Sequence, residues 1–210
     1  MKIFVAGSTG RVGEKLLTEL TETGHEVLAG ARQPEKVKNP KVSPIKFDLT
    51  MTIDEMATII AGVGVVMDVA GSSGGSLLQI DLFGATNLMQ AAEKAGVKRF
   101  ILLSTVFALQ PGKWTTPGFI ALRDYYIAKH FADLYLVKNT KLDYTILQPG
   151  YLTEAAGTGK IAINDDISAP ATIADVAASL AAMIDIPETI HKVITMHNGD
   201  RPIKEALKNS

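Results

Sequence analysis

Residues 1–17 read MKIFVAGSTGRVGEKLL. A short apolar run, KIFVA, leads directly into Gly7, Gly10 and Gly13, and a helical pattern opens near Arg11. In a strand-to-helix turn each glycine has a physical use. Gly7 lets the chain leave the strand sharply, Gly10 lets the backbone approach a bound group that a Cβ would hold off, and Gly13 lets the helix pack close to the sheet. The first helical N–H groups, at Arg11, Val12 and Gly13, have no partner in their own helix and sit at its positive end. With the hydroxyls of Ser8 and Thr9 they make a place for phosphate. The spacing is GxxGxxG rather than GxGxxG, so its position between the first strand and first helix carries the reading more than the pattern does.

The rest of the chain extends this unit. Short apolar, β-branched runs at 2–7, 25–31, 42–48, 64–71, 99–105, 143–150, 160–163 and 192–196 alternate with helical patterns at 11–23, 53–61, 76–95, 118–138 and 173–185. Such alternation predicts a doubly wound α/β fold, a mainly parallel, Rossmann-like sheet of about seven or eight strands in a three-layer α/β/α arrangement. Thr52 with Glu55 and Thr172 with Asp175 read as capping boxes, and 110–118 and 149–160 as loops. No repeat or linker divides the 210 residues, so one domain is expected over 1–210, with 150–210 completing the sheet and shaping a small substrate pocket.

Composition excludes several classes. The formal charge of −1 and the absence of a basic run argue against nucleic acid as a partner. No apolar run approaches a membrane span, and the N-terminal run is too short for a signal peptide. The chain has no cysteine, hence no disulfide, thiolate nucleophile or cysteine metal site, and its four histidines show no metal-binding spacing. A cytoplasmic protein with a small-molecule substrate, monomer or homodimer, is expected, with no metal.

The second strand ends LAGAR, without the carboxylate that usually holds a ribose 2′-hydroxyl. Arg32 stands there instead and suits a 2′-phosphate, which favours NADP(H) over NAD(H). In FDL (47–49), Asp48 is placed either to accept from an adenine amino group or to cap the next loop, with Leu49 beside it.

GSTGRVG (7–13), VMDVAGS (66–72), IDLFGATNLMQAAEKAGVKRFILLST (80–105), LDYTILQPGYLTE (142–154) and ATIADVAASLAAMID (171–185) together resemble the extended and atypical short-chain dehydrogenase/reductase superfamily over nearly the whole chain. The nearest likeness is to small reductases of the flavin/biliverdin reductase B type and to NmrA-like proteins. The resemblance implies that Ala70, Gly71, Ser104, Pro149, Gly150 and Tyr151 border the cofactor. It implies catalytic roles for Tyr125 and Lys129, the YxxxK pair of RDYYIAK, and for Thr105, with Ser104 as the alternative holder of the substrate oxygen.

The chemistry suits those residue types. Carbonyl reduction leaves charge on oxygen, a phenol can supply the proton, and an ammonium nearby favours the phenolate. Lys129 would also hold the nicotinamide ribose. Tyr126 is an alternative to Tyr125 as the phenol facing the cleft, and Trp114 is either a cover for the pocket or an anchor for its loop. An NADPH-dependent reductase is expected, with a non-catalytic NADP(H) sensor as the alternative. Chain length argues against a sugar-nucleotide epimerase.

Overall fold

A computed structural model describes all of residues 1–210. Its strands are β1 (Lys2–Ala6), β2 (Glu26–Ala31), β3 (Ser43–Lys46), β4 (Val65–Asp68), β5 (Arg99–Leu103), β6 (Asp143–Pro149), β7 (Leu152–Thr153), β8 (Lys160–Ile163), β9 (Ala171–Thr172), β10 (Lys192–Asn198) and β11 (Arg201–Pro202). The α-helices are α1 (Arg11–Glu22), α2 (Ile53–Ile59), α3 (Ala85–Lys94), α4 (Pro117–Ala121), α5 (Arg123–Asn139), α6 (Ile173–Ala182) and α7 (Ile203–Lys208). A π-helical segment, Leu77–Gly84, leads into α3.

The main sheet has nine strands in the order β11-β8-β10-β6-β5-β4-β1-β2-β3. From β10 to β3 the pairings are parallel; β8 is antiparallel to β10, and β11 to β8. The chain moves outward from β1 in one direction through β2 and β3, then returns to β4 on its other side. This reversal opens a crevice at the C-terminal end of β1, between β1 and β4.

The alternation of β1 explains both layers. Ile3 and Val5 join the core built with Leu16, Leu17 and Leu20 of α1 and Val176 and Leu180 of α6. Phe4 and Ala6 join the opposite core, with Met56 of α2, Leu88 and Met89 of α3 and Leu136 of α5. A strand covered on both faces is apolar at every position, which is how KIFVA reads after its lysine. At the far edge β3 is short and contains Pro44, tolerated where a strand has a neighbour on one side only.

The local expectations are refined in five places. The sheet has nine strands, because the two-residue β11 joins β8. The stretch 76–95 is π-helical for its first part, and 118–138 breaks at Leu122 into α4 and α5. Within 110–118, Pro111–Lys113 forms a 3₁₀ turn. The Thr52–Glu55 capping box is complete, whereas Asp175 receives Thr172 Oγ1 at 2.7 Å and leaves the Thr172 N–H to Asn198 Oδ1.

Candidate active site

The turn after β1 is built around two close approaches. Gly7 has φ +82°, and a Cβ there would lie 2.6 Å from Cα of Ala70, at the end of β4. A Cβ on Gly13 would lie 2.2 Å from the Gly7 carbonyl oxygen. Both contacts require glycine, and together they seat α1 directly against the turn. The Gly10 N–H donates to the Gly7 carbonyl at 3.0 Å, and Glu14 N–H returns to Gly10 O at 2.9 Å. The N–H groups of Arg11, Val12 and Gly13 have no acceptor in the protein. Three open donors at the start of a twelve-residue helix, beside the crevice, form a site for an anion.

A cleft of about 310 Å³ opens there, lined by Gly7, Thr9 and Gly10, by Arg32 and Asp48 after β2 and β3, and by Leu49, Ala70 and Gly71. Arg32 is exposed and makes no hydrogen bond or ion pair. Asp48 Oδ1 accepts both the N–H and the hydroxyl of Thr50 at 2.9 Å, so this carboxylate caps its own turn while it lines the cleft. Arg11 is exposed and its Nη1 is paired with Glu154 Oε1 at 3.1 Å. The glycine cradle, the open N–H row and the unpaired guanidinium fit a phosphate-bearing dinucleotide.

Several residues expected at the cofactor also have partners within the protein. Ser8 is fully buried and its hydroxyl donates to Gly30 O at 2.8 Å, tying the turn to β2. The side chain of Val12 lies in the core, which leaves only its N–H for a ligand. Ser104 is buried and donates to Asp133 Oδ2 at 2.8 Å. Gly150 donates its N–H to Met196 O, and a Cβ on it would meet the Ala169 carbonyl at 1.8 Å, so its glycine is required by packing. Pro149 is buried beside it, while Tyr151 is exposed; none of the three lines the cleft.

Toward the other end, past β5, lie the residues expected to react. Tyr125 is half-buried and Lys129, one turn on, is 4 % exposed. The Lys129 ammonium donates to the Leu103 carbonyl at 3.0 Å. The Thr105 hydroxyl, at the tip of β5, lies 3.3 Å from the Tyr126 hydroxyl, so Thr105 is joined to Tyr126 and not to Tyr125. Tyr126 packs against Trp114, Phe119 and Tyr125 with ring centroids 5.5, 5.0 and 5.8 Å away. Burial pushes the Tyr126 phenol up, partly offset by the bond to Thr105. Trp114 Nε1 donates to Phe107 O at 2.9 Å, which makes Trp114 an anchor of its loop.

Beneath Tyr125 and Lys129 is a buried cluster of charge. Asp133, Asp68 and Asp81 are each at most 4 % exposed. Burial pushes Asp133 up to about 6 against the pull of Lys129, and does the same to Asp68. Burial acts to strip the charge from Lys129, but Tyr125, Asp133, Asp68 and Asp81 outweigh it and hold the ammonium above the usual lysine range. The sequence pattern pointed to Lys129 and left Asp133 unremarked. The available signal was its spacing of four from Lys129, on the same inward helix face.

The family model for NAD(P)H-binding proteins matches residues 7–187. Over the full chain, the sequence is 32% identical to an uncharacterized sugar epimerase, YhfK, of Bacillus subtilis strain 168, with 99% of each chain covered. The fold superposes on the oxidoreductase ylbE of Lactococcus lactis with a TM-score of 0.98 and 57% identity, covering 100% of this chain and 96% of that one. It also matches ChuY, an anaerobillin reductase of Escherichia coli O157:H7, with a TM-score of 0.81 at 23% identity over 95% and 98% of the two chains, a likeness of fold. No helix is long and apolar enough to cross a membrane. A glycine turn at the switch point, a matching family model and full-length relatives converge: this chain belongs to the NAD(P)H-binding Rossmann family.

Proposed function

We propose that the protein is an NADPH-dependent reductase that delivers hydride to a small carbonyl, quinone or flavin-like acceptor. The observation that carries this reading is the half-buried Tyr125 phenol one helical turn from the buried ammonium of Lys129. An ion held out of water is costly. A binding module has no use for one beside a phenol, whereas a proton donor does.

The residues divide the work. The N–H groups of Arg11, Val12 and Gly13 receive the pyrophosphate, and the exposed Thr9 hydroxyl adds a donor. Arg32 receives the 2′-phosphate through its planar fork, which gives the preference for NADPH. The Asp48 oxygen not used by Thr50 accepts from the adenine amino group. A bound nicotinamide supplies the hydride. Tyr125 gives its phenolic proton to the acceptor oxygen, and Lys129 stabilises the phenolate left behind. Thr105, released from Tyr126, holds the same acceptor oxygen. Residues after 150, with Tyr151 exposed among them, form the acceptor side.

The relative named as a sugar epimerase is of matching length, so length does not separate the two chemistries. Turnover does. The test is oxidation of NADPH and NADH with a panel of aldehydes, ketones, quinones and flavins, using wild type and Tyr125→Phe. Carbonyl turnover with NADPH that falls by about 10²-fold or more in the variant is expected for loss of a general acid. Quinone or flavin turnover that survives the substitution would remove Tyr125 from the chemistry. Tight NADPH binding with no turnover of any acceptor would favour a sensor.

A further inference from the structure

No direct contact of Lys129 explains its charge. Its one hydrogen bond goes to a neutral carbonyl, Leu103 O, and no carboxylate oxygen lies within 4.0 Å of it. The carboxylates around it come from three elements: Asp68 on β4, Asp81 on the π-helical segment and Asp133 on α5. Asp68 Oδ1 is taken by the Ala70 N–H at 3.0 Å, and Asp81 Oδ2 by the Ser72 N–H at 3.2 Å.

Asp133 differs from both. It is fully buried, four residues from Lys129 on the same helix, and one oxygen, Oδ2, accepts both Ser104 Oγ and Gln148 Nε2 at 2.8 Å. Its other oxygen, Oδ1, has no partner at all. Neutral donors hold the carboxylate in place without cancelling its charge. His130, three residues before it on α5, acts on it as well, with its own Nδ1 engaged by Ala108 O at 2.9 Å. Two buried ions of opposite sign, each hydrogen-bonded only to neutral groups and without an ion pair in contact, are tolerable only together.

We propose that Asp133 is a positioning residue of the site: clamped by Ser104 and Gln148, its carboxylate keeps the buried Lys129 an ammonium beside Tyr125. The functional meaning rests on the reductase reading, in which Tyr125 is the acid. The electrostatic claim does not, and it is measured on the free protein. Ser104, just past β5, and Gln148 of β6 thus fix where that carboxylate lies, although neither side chain reaches the acceptor.

The test is a ¹³C NMR titration of the lysine Cε signals in the full-length protein, with Lys129 assigned by its loss in Lys129→Met. In wild type Lys129 remains protonated beyond the usual lysine midpoint. Asp133→Asn keeps the side chain's size and brings the Lys129 midpoint down by about one pH unit or more, since burial is then less opposed. An unchanged midpoint overturns the proposal. Gln148→Met removes one clamp but leaves the carboxylate, and the midpoint stays where it was. An equal fall in both variants would mean that packing, not charge, is responsible, and would overturn it too.

If Asp133→Asn does not fold, wild type gives the answer. The Lys129 signal then moves with the protonation of Asp133 near pH 6, followed through the aspartate ¹³Cγ signals, and a Lys129 signal flat through that event overturns the proposal. Failure of every acceptor in the turnover panel would sink the reductase reading and leave this titration untouched.

Discussion

Arg32 and Ser8 show what single residues disclose. A guanidinium at the tip of a strand, where a carboxylate would otherwise stand, is legible from sequence because charge type and chain position can both be read there. In the fold Arg32 stays exposed and unpaired at the cleft. Arg32→Ala is expected to weaken NADPH binding by about 10-fold or more, the scale of a lost charge-assisted contact, while NADH binding changes little. Isothermal titration of both nucleotides checks this, and equal losses would sink the 2′-phosphate assignment. Hydroxyls are less legible. Ser8 and Ser104 lie in the segments expected at the cofactor, yet one ties the turn to Gly30 and the other clamps Asp133. A serine's position does not reveal which way its hydroxyl turns. The same holds for Tyr125 and Tyr126: adjacent residues on a helix point about 100° apart, and packing decides which one meets Thr105.

At the scale of elements, periodicity located α1, α2, α5 and α6 but could not find their interruptions. The π-helical segment is apolar nearly all round, LLQIDLFG, so it reads as a continuation of α3. The capping boxes looked alike in sequence and differ in what they hold. Glu55 returns to its own cap, Thr52, at 2.8 Å. Asp175 faces the other way, accepting the N–H groups of Thr158 and Gly159 at 3.0 and 2.8 Å as well as the Thr172 hydroxyl. It therefore fastens the loop before β8 to the start of α6. Thr52→Ala is expected to cost about 1 kcal/mol, as lost caps do. Asp175→Ala is expected to cost about 2–3 kcal/mol, because it also leaves the buried Thr172 hydroxyl and two loop N–H groups without their acceptor. Urea unfolding of the two variants measures the difference, and equal costs would refute the loop-fastening role.

For the whole molecule, the doubly wound, mainly parallel sheet followed from alternation and from the doubly apolar strands, and the crevice at the strand tips followed from that fold class, while the order of the strands came from the structure. So did the two-residue strands β7, β9 and β11, since two residues carry no period. The buried charges act at this scale, through the stability of the fold. Asp133 ionises at about 6 in the folded protein and near 4 when unfolded. The folded state thus holds this proton more tightly than the unfolded state does. The stabilisation is present below about pH 4 and is lost as pH rises through about 6. Relative to Asp133→Asn, wild type should lose on the order of 2–3 kcal/mol between pH 4 and pH 7. Urea unfolding at both pH values checks this, and parallel pH profiles would contradict it.

The two ends of the sheet are also unequal partners for other chains. β3, with four residues, a proline at 44 and a lysine at 46, offers little backbone for another strand to copy, and β11 at the opposite edge has only two residues. A seven-strand parallel run of largely apolar sequence is the kind of surface that seeds fibrils when its margin is left open. Here both margins are too short to serve as templates, so crowding many copies together does not propagate the sheet from one molecule into the next.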